Sequence, residues 1–124
     1  MEVHIDHTKE CDKKFISLMR EDKDVEGRKV KPGGSDYGGW TGQIVVWYDP
    51  CNPTNSLATK IKSVQWYASL EEYVSKEGVE HIFPHLCSEK EALEEYTKIP
   101  GYDSESIKKD GGIWALRLAV WLSF

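Results

Sequence analysis

Two runs rich in β-branched and aromatic residues, QIVVWY at 43–48 and LATKIKSVQWY at 57–67, are separated only by DPCNPTNS. A parallel crossover needs a dozen or more residues, usually with a helix, so these two strands must pair antiparallel. DPCNPTNS reads as the turn between them. Around this pair the rest of the chain falls into place. VHI near the start alternates like a short strand. After Thr8, residues Cys11, Phe15, Leu18 and Met19 share one helical face, which fades near Arg20 to Asp22. DVEGRKV is extended, and Pro32-Gly33-Gly34 ends it. Ser69-Leu70-Glu71-Glu72 and Ser88-Glu89-Lys90-Glu91 are both capping boxes that open helices. Gly78 stops the first of these helices and Pro100-Gly101 the second. GGIWALRLAVWLSF closes the chain as a long strand. The order β-α-β-β-β-α-α-β predicts an α+β fold: a small, mostly antiparallel β-barrel with flanking helices. At 124 residues the chain makes a single domain, residues 1–124.

Composition narrows the partners. The formal charge of −5 argues against a protein that coats nucleic acid by charge alone. The charge is uneven: Arg20–Lys31 carries five basic and four acidic residues, and Ser69–Asp110 five basic and eleven acidic. The early segment therefore tolerates an anion better than the later one. The three cysteines form no Cys-x-x-Cys pair, and MEVHIDHTKE has no apolar signal segment. No run reaches the roughly 18 apolar residues of a membrane span. The expectation is an intracellular, cytoplasmic location with no membrane partner.

Chemistry-bearing motifs are few. His81, His85 and Cys87 cluster in EHIFPHLC, but Pro84 breaks the helix that an i, i+4 zinc pair requires. A packed inter-helix loop accounts for them better, so no metal is expected. No Walker loop, Gly-x-Ser-x-Gly or dinucleotide fingerprint occurs, and no cofactor is implied. The stretch from Pro32 to Gly42 holds five glycines. It is either a plain flexible loop or a binding loop, on which Tyr37 and Trp40 would be platforms for stacking a base. The tryptophans in strands are expected in the core. Lys23, Glu26 and Arg28 lie at the entry to the extended DVEGRKV. They form either a solvated edge strand or one wall of a site in which a lysine beside a carboxylate binds phosphate, polarises a carbonyl or acts as a tuned acid or base.

Lys23-Asp24-Val25-Glu26-Gly27-Arg28 resembles the GxKxxExR signature of ASCH domains, members of the PUA-like superfamily. GQIVVWY, VQWYASLEEYVSKEGVEHIFPHL, SEKEALEEYTKIPGY and GGIWALRLAV follow in the order in which that family has comparable segments. The resemblance implies a PUA-like β-barrel with a cleft lined by the Lys23, Glu26 and Arg28 strand, binding RNA or a modified nucleoside. Arg28 would fork onto a phosphate or base edge, Glu26 would accept from an exocyclic amine, and Tyr37 or Trp40 would close over the base. The alternative that the family implies is a hydrolase acting on RNA phosphodiesters or on N4-acetylcytidine, with Lys23 and Glu26 catalytic. Lys23 matches the motif lysine, whereas Glu26 stands where the amidohydrolases have threonine.

Overall fold

The computed structural model describes residues 2–4, 23–30, 37–49 and 52–120. The helix expected after Thr8 and the glycine-rich residues up to Asp36 lie outside the described residues, as does Trp121. Five strands form one sheet: β1 (Glu2–His4), β2 (Val25–Lys29), β3 (Ile44–Asp49), β4 (Asn52–Tyr67) and β5 (Ile113–Val120). Their spatial order is β1-β3-β4-β5-β2. Every pairing is antiparallel except β1 with β3, which is parallel. The four antiparallel strands curl into a half-barrel flanked by helices, as the element order predicts.

β4 drives the curl. Its first part pairs with β3 and its second with β5, overlapping only around Thr59 to Ile61. The register to β5 slips between Ile61 and Ser63, leaving Lys62 as the extra residue of a bulge. The bulge also reverses which residues face inward. Before it Ile61 enters the interior cluster, and after it Val64 does. This explains why the 57–67 segment alternates imperfectly. DPCNPTNS is not the eight-residue turn its composition suggests. β4 starts at Asn52, and Asp49 pairs with Asn52 after a register irregularity between Tyr48 and Asp49.

The helices are α1 (Leu70–Glu77), α2 (Val79–Ile82), α3 (Glu89–Thr97) and α4 (Ser104–Lys109). Both capping boxes form: Ser69 Oγ accepts from the Glu72 amide and Ser88 Oγ from the Glu91 amide, each at 3.2 Å. Gly78 sits at φ +94°, a backbone conformation that L side chains rarely adopt, and its amide donates to Val74 O. α2 and α4 were not expected from the sequence. α4 is opened by Asp103, whose carboxylate accepts from the Ser106 amide. Tyr37–Trp40 forms one 3₁₀ turn, so the tip of the glycine-rich segment has regular structure.

The sheet separates two apolar clusters. One lies between the helices and the sheet and includes Val25, Leu70, Tyr73, Ile82, Ile107 and Ile113. The other fills the inside of the curl with Val45, Trp47, Ile61, Leu116 and Leu118. β5 feeds both, with Ile113 and Ala115 on the helix side and Leu116 and Leu118 inside. Trp47 is fully buried, its indole N–H donating to Thr59 Oγ1 at 2.7 Å. Trp66 departs from the expectation for strand tryptophans. It is 45% exposed, and its indole N–H donates to Gly111 O. Among the described residues no helix is long and apolar enough to cross a membrane.

Candidate functional site

Strand β2 carries Glu26 and Arg28 on the face toward the inner cluster and Val25 and Gly27 on the face toward the helices. The close approach on the helix side needs glycine: a Cβ on Gly27 would stand 2.7 Å from Tyr73 Oη and 2.9 Å from its Cζ. Lys23 precedes the strand and turns inward. Lys23 and Glu26 are each only 5% exposed, so this is a buried charge cluster and not a solvated edge. Lys23 Nζ donates to Val25 O at 2.6 Å and Ile82 O at 2.9 Å, and lies 3.6 Å from Glu26 Oε1. Two of its protons are thus hydrogen-bonded to backbone carbonyls, and the charge is paired with Glu26. Burial lowers the Lys23 pKa, and Glu26 offsets only part of that effect.

Arg28 completes the row. Its Nη2 lies 3.4 Å from Glu26 Oε2, and its guanidinium sits 5.3 Å over the Trp47 ring. Nε and Nη2 are buried and make no hydrogen bond among the described residues. Tyr37 and Trp40 meet edge to face, with ring centroids 4.5 Å apart, and both pack on the inner cluster that holds Trp47. Burial raises the Tyr37 pKa; the Arg28 charge pulls it down and the Glu26 charge pushes it up. The hydroxyl is therefore within electrostatic reach of both. All five sequence-predicted residues come together: Lys23, Glu26 and Arg28 in a buried row, Tyr37 and Trp40 beside it. Asp24 diverges, its carboxylate accepting from His81 Nδ1 at 2.8 Å.

Behind the row lies a tyrosine cluster that sequence reasoning did not find. The Tyr73 and Tyr96 hydroxyls are 2.8 Å apart, and the Tyr96 and Tyr102 rings stack. Burial holds Tyr73 and Tyr96 well above the ordinary tyrosine pKa, and the nearby Glu26 charge adds to the rise.

A second ionic cluster was also missed. Arg117 on β5 grips Glu77 of α1 through two bonds of 2.8 Å, from Nε and Nη2, while Nη1 donates to Ser63 Oγ at 3.2 Å. The Tyr67 hydroxyl donates a short hydrogen bond to the same carboxylate. Burial would raise the Glu77 pKa, but these bonds from Arg117 and Tyr67 outweigh it and the net shift is downward. Tyr67 is pushed up to about 12, first by burial and then by Glu77. A signal was present in the sequence: Leu70, Tyr73, Val74 and Glu77 have the i, i+3, i+4, i+7 spacing of one buried helical stripe, and Glu77 is its acid.

His81, His85 and Cys87 do not converge. His81 engages Asp24, the His85 ring meets Phe83 edge-on, and Cys87 is an exposed thiol. Among the described residues no group of three or more potential ligands could hold a metal.

No protein-family model matches the sequence, and no curated protein matches it. Among solved structures, hypothetical protein PH0355 superposes with a TM-score of 0.70 at 24% identity, covering 97% of each chain. Protein PF0455 from Pyrococcus furiosus gives a TM-score of 0.66 at 22% identity, covering 98% of this chain and 97% of its own. These likenesses extend over nearly the whole chain and establish the fold.

Proposed function

We propose that the protein binds RNA or a modified nucleoside in a cleft formed by Glu26 and Arg28, with Tyr37 and Trp40 flanking the base. The observation that carries this reading is Arg28. A buried guanidinium with two nitrogens lacking hydrogen-bond partners among the described residues costs about 1–3 kcal/mol per unsatisfied group. Such a cost is understandable where a ligand supplies the acceptors. The planar fork of Arg28 suits a phosphate or a base edge with adjacent acceptors. Glu26 beside it accepts from an exocyclic amine, so the pair matches a cytosine-like edge. Aromatic stacking adds about 1–3 kcal/mol per base. Lys23, bonded to the Val25 and Ile82 carbonyls and ion-paired with Glu26, positions Glu26 in this reading. The ASCH-like signature supports the same ligand class, and an exposed free thiol at Cys87 suits a reducing, cytoplasmic setting.

A hydrolase is the second reading, and the lowered Lys23 pKa favours it, because a general base must be available in its neutral form. One experiment separates the two. Purified wild type is screened against modified nucleosides, including N4-acetylcytidine, and short RNAs, scoring binding and product. Glu26→Gln and Lys23→Ala are run alongside, each checked for folding. The binding reading expects saturable binding without product and a loss of about 1–3 kcal/mol in Glu26→Gln. Multiple turnover by the wild type, abolished in Lys23→Ala with affinity kept, would replace it with the hydrolase.

A further inference from the structure

On the helix side of the sheet, a cleft of about 250 Å³ opens between the start of β2, β4, β5, α1 and α2, beside but not including Glu26 and Arg28. Its cations are Lys62, Lys76 and Arg117, and its acids are Asp24 and Glu77, with His81 at the rim. The acids are already engaged: Glu77 by Arg117 and Tyr67, Asp24 by His81. The lysines are not. Among the described residues neither Lys62 nor Lys76 makes an ion pair, although each lines the cleft.

Two features make this more than a pair of surface lysines. Lys62 is the bulge residue of β4, and a bulge re-aims a side chain that regular pairing would direct elsewhere. Arg117 is locked in place by Glu77 and Ser63. Of its five N–H groups these bonds use three; the other two, one on each terminal nitrogen, make no further hydrogen bond among the described residues, with the Tyr67 hydroxyl close by. A fixed guanidinium edge flanked by two ammonium groups that make no ion pair among the described residues is the donor set for a tetrahedral oxyanion. A single carboxylate would leave donors unused. We propose that this cleft is a phosphate-binding subsite, occupied by free phosphate, by the phosphate of a mononucleotide or by an RNA backbone phosphate. The proposal stands apart from the base-binding reading, since no residue is shared between the two sites.

The test is a titration of isotope-labelled protein, followed by NMR at Lys62, Lys76, His81 and the Arg117 Nε–H. The ligands are inorganic phosphate, a nucleoside 5′-monophosphate, a short single-stranded RNA and the unphosphorylated nucleoside. Shifts at these groups are expected with the phosphate-bearing ligands and not with the nucleoside. The tightest of the three identifies the source of the phosphate. In the Lys62→Ala/Lys76→Ala double variant, whose exposed positions leave the core intact, affinity for that ligand falls about tenfold. If RNA is the source, the log–log salt slope becomes shallower by about 0.7 for each lysine removed. Absence of shifts with all three phosphate ligands, equal shifts with the bare nucleoside, or unchanged affinity in the double variant would each overturn the proposal.

Discussion

Glu26 and Glu77 are both buried carboxylates held by arginine, yet their surroundings differ. Around Glu77 the geometry closes: two 2.8 Å bonds from Arg117 and a hydroxyl from Tyr67. Around Glu26 the cations stand at 3.6 Å and 3.4 Å, and Arg28 keeps two buried nitrogens with no hydrogen bond among the described residues. A closed, bidentate pair joins α1 to β5 and belongs to the fold. Around Arg28 the donors Nε and Nη2 make no hydrogen bond among the described residues, so its burial carries a desolvation cost there. The difference separates a strut from a candidate binding site, even though both contain the same residue types.

The comparison can be broken in several ways. The largest effect expected is alkaline unfolding. Tyrosines whose native pKa lies above the unfolded value of about 10 stabilise the fold fully below that pH and lose the contribution as pH rises through the native value. Tyr67, at about 12, belongs to the Glu77 cluster, while Tyr73 and Tyr96 lie near Glu26. Lys23 acts oppositely, since its lowered pKa adds stability as pH climbs toward about 10.4. The tyrosines outnumber it, so chemical denaturation should show stability falling above about pH 10. Stability that holds or rises above about pH 10 would show that the clusters are open to water.

Next in size is Arg117→Met. Among the described residues it leaves the buried Glu77 with the Tyr67 hydroxyl as its hydrogen-bond partner. A stability loss of about 2–3 kcal/mol in urea is expected, at the lower end for a buried pair because the Arg117 side chain is 37% exposed. Gly27→Ala should cost about 1–3 kcal/mol, since the new methyl meets Tyr73 and Ile113 Cδ1 within 3.0 Å. A neutral outcome there would mean that Tyr73 yields easily, and that the wall behind Glu26 is softer than the geometry indicates.

Much of this architecture was legible because local chemistry dictates it. Ser69 and Ser88 cap helices wherever they are followed by the right residues, and the 43–48 strand has no helical alternative. The sequence also placed Lys23, Glu26 and Arg28 together, since three residues on one short segment need no tertiary information. What escaped were the long-range pairings. Arg117 meets Glu77 only because β5 lies beside β4 and α1 packs across it, and no local pattern encodes that register. The start of β4 at Asn52 was hidden by Asn52, Pro53 and Asn55, residues that usually mark turns. α4 was hidden by its brevity, with Ile107 as its one buried residue.

The smallest stability effect expected is at Arg28, and it bears most directly on the central claim. Arg28→Met removes the donors that make no hydrogen bond among the described residues, keeps a side chain against Trp47, and leaves Glu26 its Lys23 partner. Removing one partner of a buried pair usually destabilises by abandoning the other charge, but Glu26 keeps Lys23 at 3.6 Å, and the Arg28 nitrogens that make no hydrogen bond among the described residues go with the side chain. The decisive measurement is therefore a paired one, the urea midpoint and the affinity for whichever nucleoside or RNA binds the wild type. The account predicts a midpoint unchanged or raised, with affinity reduced by about 1–3 kcal/mol. A variant that loses as much stability as Arg117→Met while binding the ligand undiminished would make Arg28 a second strut and contradict the account.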